Sequence, residues 1–314
     1  MIVNCFEDLA IQAKRFENKA VIAVVEAQDE HTLESVVYAA GMGIMTPKLI
    51  GDAEKIKAMI MEIGAEPSSF EIHASGSIRS SLMIASDMIN AGDATALMKG
   101  KLETGEFIKA IVSKENNLVE DGLISLAGLY ELPKYHKMLT VSDIGLIMRP
   151  GLDEKKAIIR NAVDMLTALG KTSLKVAVLA AVEKVNPRMP ETVDADELVN
   201  MNKRGEITSC VIDGPVSFDL ATSAKAAKIK GYNSPVAGDA DLLIVPDFVS
   251  GNILVKCLTG FAGSITAGAV LGAKVPVILT SRSADASDKF YSIALGACLC
   301  GVRITSEKGL RHER

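Results

Sequence analysis

The sequence is poor in the residues from which metal and redox sites are built. It contains four histidines and five cysteines among 314 residues. The histidines lie far apart and none forms a His-Glu-x-x-His pair, so a histidine-built metal site has little support. The cysteines are odd in number and lack Cys-x-x-Cys spacing, which indicates free thiols in a reducing compartment rather than disulfide bonds.

Nucleotide-binding motifs and an excess of basic charge are missing too. No Walker A sequence occurs, and Gly41-Met42-Gly43 lacks the third glycine of a dinucleotide fingerprint and follows a predicted helix, so we interpret it as the end of that helix. The chain has 39 acidic and 34 basic residues, a net charge of -5. A broad nucleic-acid surface is therefore not expected, and any bound anion must be held by a local cluster.

The sequence also gives no sign of export or of a membrane helix. Glu7 and Asp8 come before any long apolar segment, which argues against a signal peptide and predicts a cytoplasmic location. The apolar stretch 253–275 contains Lys256 and several small residues. We expect it to hold a helix packed closely against a sheet rather than a membrane span.

Short apolar runs alternate with amphipathic segments, which predicts an α/β protein with a mainly parallel sheet. The predicted strands are 20–27, 48–51, 94–98, 138–141, 146–148, 175–181, 207–212, 241–245 and 276–280. The predicted helices are 31–41, 77–91, 104–114, 153–169 (capped by Asp153 and ended by Gly170), 194–204, 217–230, 251–272 and 286–300. The length favours two domains, which we place at 1–135 plus 276–314 and at 136–275.

Polar residues directly follow several of the predicted strands. They are Lys99, Glu183, Asp213, Asp247 and Ser281 with Arg282. In open parallel sheets, ligands bind at the carboxyl ends of the strands. Each residue alone could be a solvated strand end or a helix cap, but their repetition favours a polar crevice.

Two segments among these have the composition of anion sites. Lys99-Gly100-Lys101 leads through Thr104 into a helix that carries Lys109, so backbone N–H groups, ammonium groups and a helix N-terminus could hold an anion together. The alternative is a surface turn with solvated lysines. In the second segment, Asp247 to Lys256, helix capping by Ser250 or Asn252 competes with ligand contact by Asn252 and Lys256.

The segment from Ser281 to Asp288 carries groups suited to acyl transfer. Arg282 offers a fork for phosphate, Ser281 can donate to an oxyanion, and the carboxylate of Asp285 or Asp288 can accept a proton. The alternative is a helix N-terminus in which Ser281, Asp285 and Asp288 serve as caps and favourable charges.

At these residues the chain resembles the phosphate acetyltransferase and phosphate butyryltransferase family. The matching motifs are Leu97-Met98-Lys99-Gly100, Asp213-Gly214-Pro215 with Asp219, Ser234 to Asp241, Ile244-Val245-Pro246-Asp247, Gly251-Asn252 with Lys256, and Pro276 to Arg282. The length and the Met-Lys-Gly sequence look closer to the butyryltransferase branch. The resemblance implies two α/β domains with mainly parallel sheets around a cleft, similar to isocitrate and isopropylmalate dehydrogenases, and usually a homodimer.

The resemblance also implies the reaction: short acyl groups, butyryl or branched-chain preferred, pass reversibly between coenzyme A and phosphate, with no tightly bound cofactor or metal. Ser281 would stabilise the transition state, Arg282 would hold phosphate and Asp288 would be the base. The other implied substrate-binding residues are Lys99, Gly100, Lys101, Thr104, Lys109, Asp247, Asn252 and Lys256.

Three departures from the family pattern keep alternatives open. The butyryltransferase branch usually has an acidic residue where this chain has Ala284, so Asp285 competes with Asp288 as the base. Lys109 stands where relatives usually have a phosphate-binding arginine, and Leu220 replaces a common asparagine. The alternatives are acetyl specificity, a non-catalytic acyl-coenzyme A binding protein, or a metal- and NAD-dependent decarboxylating dehydrogenase, whose divalent metal would need clustered aspartates such as Asp239 and Asp241.

Overall fold

The computed structural model describes residues 1–119, 122–281 and 284–312, with side chains of the last helix described as far as Arg303. Strands and helices alternate along most of the chain. The strands are β1 (Ala20–Val25), β2 (Met45–Gly51), β3 (Glu71–Ala74), β4 (Ala96–Lys99), β5 (Ser125–Glu131), β6 (Leu139–Ser142), β7 (Leu174–Leu179), β8 (Cys210–Val216), β9 (Leu242–Ile244), β10 (Ile265–Leu271) and β11 (Val277–Ile278).

The helices are α1 (Phe6–Arg15), α2 (Glu30–Gly41), α3 (Ala53–Glu62), α4 (Ile78–Ala91), α5 (Thr104–Val112), α6 (Leu152–Ala168), α7 (Pro190–Lys203), α8 (Phe218–Thr222), α9 (Ala224–Lys230), α10 (Phe248–Gly260) and α11 (Ala286–His312). A short 3₁₀ turn spans Pro67–Ser69. Most neighbouring strands run parallel, so the predicted α/β class with a mainly parallel sheet is confirmed.

The chain divides into two compact units. The terminal unit comprises Phe6–Gly122 and Ala267–Arg314, and the central unit comprises Met1–Cys5 and Leu123–Thr266. Both crossings lie upstream of the positions expected from the sequence, near 135 and 275. The strand β5, which the sequence analysis missed, accounts for the earlier first crossing because it already belongs to the central unit.

The terminal unit has the strand order β3-β2-β1-β4-β11-β10, parallel except for the pair of β10 and β11. Strand β1, Ala-Val-Ile-Ala-Val-Val, is almost wholly buried, as expected for a parallel strand covered on both faces. Helix α11 packs against both α1 and α2. Because β1, β4 and β11 run in the same direction, the chain segments that follow them emerge at one edge of the sheet.

The central unit has the order β5-β6-β9-β7-β8, with only the described pair of β5 and β6 antiparallel. Its core joins apolar residues of these strands to those of α8 and α10, including Leu139, Leu243, Leu220 and Leu258. Asp213 lies inside β8 rather than at a strand end and accepts a hydrogen bond of 2.6 Å from the Tyr232 hydroxyl.

The prediction of one helix over 251–272 is wrong. Helix α10 ends at Gly260, Gly263 has a φ of +63°, and the chain then forms β10. The small residues that suggested close helix packing instead belong to a turn and a strand. Within the described residues, the structure contains no helix with the length and apolar character needed to cross a membrane.

Other differences have local causes. The expected strand at 146–148 is absent because the N–H groups of Leu146 and Ile147 donate to the buried Asp143 carboxylate, at 3.1 and 2.6 Å. Helix α6 is preceded by Gly151, whose N–H donates to Glu154 Oε2 at 2.7 Å, so Asp153 lies in the first turn and is not the cap. The sequence analysis also missed α1, α3 and β3.

Candidate active site

A cleft of about 460 Å³ lies in the terminal unit, at the edge where β1, β4 and β11 end. It brings together four residues singled out from the sequence: Lys99, Gly100, Lys101 and Ser281. The other described lining residues are Asp29, His31, Thr32, Ile78, Leu102, Glu103, Glu106, Thr280 and Lys289.

Charge is unevenly distributed in this cleft. Lys99 and Lys289 are 6% and 5% exposed, whereas Lys101, Glu103 and Glu106 are exposed. Two ammonium groups are thus shielded from water, where their attraction for an anion is stronger than at the surface. The exposed groups carry mixed charge and are screened by solvent and salt. Asp29, half-buried and paired with Lys289, offsets one of these two charges, and the positive charge that remains favours an anionic ligand.

The turn after β4 holds Lys99 in place. Its ammonium donates to the main-chain oxygens of Gly100 and Leu102, at 3.2 and 3.0 Å. The N–H groups of Gly100 and Lys101 donate to Val25 and Glu26 oxygens, at 2.8 and 2.7 Å. These two N–H groups are used by the fold, so the expectation that they bind an anion is wrong. The positive charges of Lys99 and Lys101 and the start of α5 remain to attract one.

Gly100 is required by close packing of the backbone. A Cβ atom there would lie 2.7 Å from the Val25 oxygen and closer still to the Glu26 oxygen, and neither main-chain atom can rotate away. We expect Gly100→Ala to lower the free energy of unfolding by about 2 kcal/mol or more. Urea denaturation measures this change.

Gly105 gives a matched control for that substitution, because it lies in the first turn of α5 and a Cβ there would meet nothing within 4 Å. Gly105→Ala should leave stability unchanged or raise it by up to about 1 kcal/mol. Equal effects of the two substitutions would contradict the packing explanation.

Helix α11 begins at Ala286, five residues after Ser281. Asp285 occupies its N-cap position, and Asp285 Oδ1 accepts the N–H of Asp288 at 2.8 Å. Asp288 lies in the first turn and is half-buried. Arg282, predicted to bind phosphate, lies outside the described residues. Of the two possible bases, Asp285 therefore already serves as a helix cap.

Among the lining residues that were not predicted from the sequence, three form a hydrogen-bonded group: Asp29, Thr32 and Lys289. Asp29 caps α2 by accepting the Thr32 N–H at 3.0 Å, and the Lys289 ammonium lies 3.0 Å from Asp29 Oδ2 and 3.3 Å from Thr32 Oγ1. Burial by itself raises the pKa of Asp29, but hydrogen bonds from Thr32 and Lys289 outweigh it and lower the pKa. The Asp-x-x-Thr spacing before α2 was the available signal.

Comparison with known proteins identifies the group to which the chain belongs. Residues 69–297 match the family model described as Phosphate acetyl/butaryl transferase. The chain belongs to this family. It is 36% identical to the phosphate butyryltransferase of Clostridium acetobutylicum, over 96% of this chain and 99% of that one. It is 38% identical to the phosphate acetyltransferase of Thermotoga maritima, over 88% of this chain and 94% of the relative.

A solved structure agrees with this membership. The branched-chain phosphotransacylase from Enterococcus faecalis V583 superimposes with a TM-score of 0.78 at 28% identity, covering 90% of this chain and 99% of that chain. The resemblance inferred from the motifs is thereby confirmed. The roles of individual residues are inferred from the geometry of this chain.

Not every residue expected from the phosphate acyltransferase family lines the cleft. Thr104 is the first residue of α5, and Lys109 lies exposed in its last turn. Neither of them, nor Asp288 in the first turn of α11, is among the described lining residues, so the role of Asp288 as the base also stays a prediction. Asp247, Asn252 and Lys256 belong to the central unit. Their part in substrate binding stays a prediction.

Asp247 has a clear structural role in the central unit. Its Oδ1 accepts the N–H of Ser250 at 2.8 Å, so it caps α10, and the expected capping by Ser250 or Asn252 is wrong. Hydrogen bonds from Ser250, with a contribution from the charge of Arg149, lower the pKa of Asp247. Asn252 is half-buried and Lys256 is exposed on the same helix.

The aspartates that the dehydrogenase alternative needed for a metal are engaged in ion pairs. Lys175 and Lys137 lie 2.6 and 2.9 Å from carboxylate oxygens of Asp239, and Lys137 also lies 2.9 Å from Asp241. These contacts tie the chain ahead of β6 and the strand β7 to the segment before β9. The pairing gives both carboxylates a structural function in this phosphate acyltransferase family member.

Proposed function

We propose that this protein transfers a short acyl group, with butyryl or a branched chain preferred, reversibly between coenzyme A and inorganic phosphate. The observation that carries the proposal is the terminal-unit cleft, which Ser281 lines together with the buried Lys99. Membership of the phosphate acetyl/butyryltransferase family supports it.

The chemistry requires a base, an oxyanion donor and an anion site. A carboxylate takes the proton of the coenzyme A thiol, because a thiol, with a pKa of about 8.5 for the cysteine side chain, is mostly protonated at neutral pH. The thiolate attacks the carbonyl carbon of the acyl phosphate, and the bond from that carbon to the phosphate oxygen breaks with its electron pair leaving on phosphate. The reverse direction uses the same groups.

The proposed roles of the described residues follow from their positions, and that of Arg282 follows from the family resemblance. Ser281 donates its hydroxyl hydrogen to the carbonyl oxygen as negative charge develops there. Lys99 and Arg282 bind the phosphate, with Lys101 at the exposed side of the cleft. We assign Asp288 as the base because Asp285 Oδ1 is committed to capping α11.

The acyl preference rests on the butyryltransferase-like motifs and on the similarity to the branched-chain enzyme. Acetyl specificity is the second candidate, because the identity to an acetyltransferase is as high as that to a butyryltransferase. A homodimer, a cytoplasmic location, a dehydrogenase-like arrangement of two domains around a cleft and the absence of a tightly bound cofactor stay predictions with this proposal.

The purified protein supplies a direct test. Incubated with butyryl-coenzyme A and phosphate, it should release free coenzyme A thiol only when phosphate is present, as measured with a chromogenic thiol reagent. A panel from acetyl- to valeryl-coenzyme A, including isobutyryl-coenzyme A, ranks the acyl preference by kcat/KM. Failure to release thiol from any of these would contradict the proposal.

Arg282→Ala should raise the KM for phosphate by about tenfold or more, since an arginine–phosphate pair contributes about 1.5–3 kcal/mol. The KM for acyl-coenzyme A should change far less. Initial rates with each substrate varied in turn measure both constants. Arg282→Lys keeps the charge without the fork of the guanidinium, so its KM for phosphate should lie between those of the wild type and of Arg282→Ala. An unchanged phosphate KM in both variants would remove Arg282 from the site.

A further inference from the structure

We propose that Lys289 is a second phosphate-binding cation of this enzyme, positioned by Asp29 and Thr32 from the start of α2. The inference rests on the proposed function, which it deepens by assigning a residue to the phosphate site. No motif in the sequence pointed to Lys289. It was found from the cleft alone, which Lys289 lines together with Lys99 and Ser281.

Burial makes the Lys289 ammonium unusual. The residue is 5% exposed, yet it lines a cavity of about 460 Å³, and its ammonium contacts Asp29 and Thr32 of the same lining. A lysine needed only for the packing of α11 could be replaced by an apolar side chain without desolvating a charge. A buried cation beside a cavity is instead the arrangement that binds an anionic ligand strongly.

The hydrogen bonds of Lys289 leave room for such a ligand. An ammonium has three N–H donors. Asp29 Oδ2 accepts one at 3.0 Å and Thr32 Oγ1 accepts a second at 3.3 Å. Within the described part of the chain these are the two side-chain acceptors of Lys289, so a third N–H can serve an oxygen in the cleft.

Asp29 is suited to hold this lysine without neutralising its function. Its Oδ2 also accepts from the N–H and the hydroxyl of Thr32, and its net lowered pKa keeps it ionised at neutral pH. One carboxylate thus balances the buried ammonium while the cleft is empty. Phosphate carries between one and two negative charges at neutral pH and is attracted by the charges of Lys289 and Lys99, which line the same cleft.

The position of Lys289 along α11 separates its role from that of the proposed base. Asp288 and Lys289 are consecutive, and consecutive helix residues project about 100° apart. Lys289 contacts α2, so its side chain and that of Asp288 point in different directions. One turn of helix can in this way supply a base for the thiol and a cation for the phosphate.

The test is Lys289→Met, which keeps much of the apolar length and removes the charge. We expect the KM for phosphate to rise about tenfold or more, because one charge-assisted hydrogen bond to phosphate is lost. The KM for butyryl-coenzyme A should stay within about twofold. Lys289→Arg should recover part of the phosphate affinity, and Asp29→Asn should raise the phosphate KM by a smaller factor because the ammonium is retained but less well positioned.

Lys57→Met is the matched control. Lys57 also pairs with a carboxylate, Glu54, at 2.9 Å, but it lies on the exposed side of α3 in the same unit. Its kinetic constants should equal those of the wild type. An unchanged phosphate KM in Lys289→Met, together with a lowered melting temperature, would show that Lys289 is structural and would overturn the inference.

Equilibrium binding of inorganic phosphate, measured by isothermal titration calorimetry, separates this inference from the proposed function. Normal wild-type turnover with unaltered phosphate binding in Lys289→Met overturns the inference alone. A wild-type protein that binds phosphate through Lys289 but transfers no acyl group overturns the function alone. Should Lys289→Met fail to fold, Lys289→Gln provides the same comparison with a polar side chain.

Discussion

Ser281→Ala should lower kcat by about 10²-fold or more while leaving the KM for both substrates within a few-fold. A hydroxyl that donates to a developing oxyanion acts mainly in the transition state, so its loss appears in kcat rather than in ground-state binding. Steady-state kinetics with butyryl-coenzyme A and phosphate measure both quantities. The residue lies at the cleft, and Thr280 next to it is part of the same lining.

Ser281→Thr distinguishes a hydroxyl donor from a packing role. Threonine keeps the donor and adds a methyl group, so it should retain more activity than alanine. If alanine and threonine lower kcat equally, or if alanine retains wild-type turnover, Ser281 does not donate to the oxyanion. Thermal denaturation of both variants shows whether either has lost the native fold.

Asp288→Asn should lower kcat by about 10²- to 10⁴-fold, the range expected when a general base is removed. Asp285→Asn should have little effect, because asparagine caps a helix about as well as aspartate and can still accept the Asp288 N–H. The two substitutions change the same functional group three residues apart, and each is the control for the other.

The pH dependence of kcat/KM gives an independent measurement for the base. If Asp288 is the general base, kcat/KM of Asp288→Asn should lose the part of its pH dependence that comes from this carboxylate. The opposite pattern, with activity lost only in Asp285→Asn, would make Asp285 the base and would require Asp288 to act in another way.

Much of the fold could be predicted from periodicity. Buried strands such as β1 and β4 are mainly continuous apolar runs. Gly170, with a φ of +81°, lies just beyond the end of α6, as expected. The strand β10 was mistaken for helix because small residues have no strong period and the chain turns at Gly263. The strand predicted at 146–148 does not form because Asp143 accepts hydrogen bonds from N–H groups of that segment. Such hydrogen bonds leave no pattern in the sequence.

The residues of the candidate site could likewise be predicted only in part. Lys99 and Ser281 could be found because each directly follows an apolar strand. Lys289 could not be found, since its partner Asp29 is 260 residues away in the chain. The backbone N–H groups of Gly100 and Lys101 misled the sequence analysis because their acceptors, the oxygens of Val25 and Glu26, are set by the neighbouring strand.

The pairing of β4 with β11, in which Leu97 lies opposite Val277, bears on how the protein is made. The ribosome releases β4 long before β11 and α11, so the terminal unit has to wait for the last part of the chain. The central unit, nearly all of it contiguous, is synthesised in that interval and can fold first. Nascent chains that stop before Val277 would lack Ser281 and Lys289, and with them a complete cleft, which makes premature activity on the ribosome impossible.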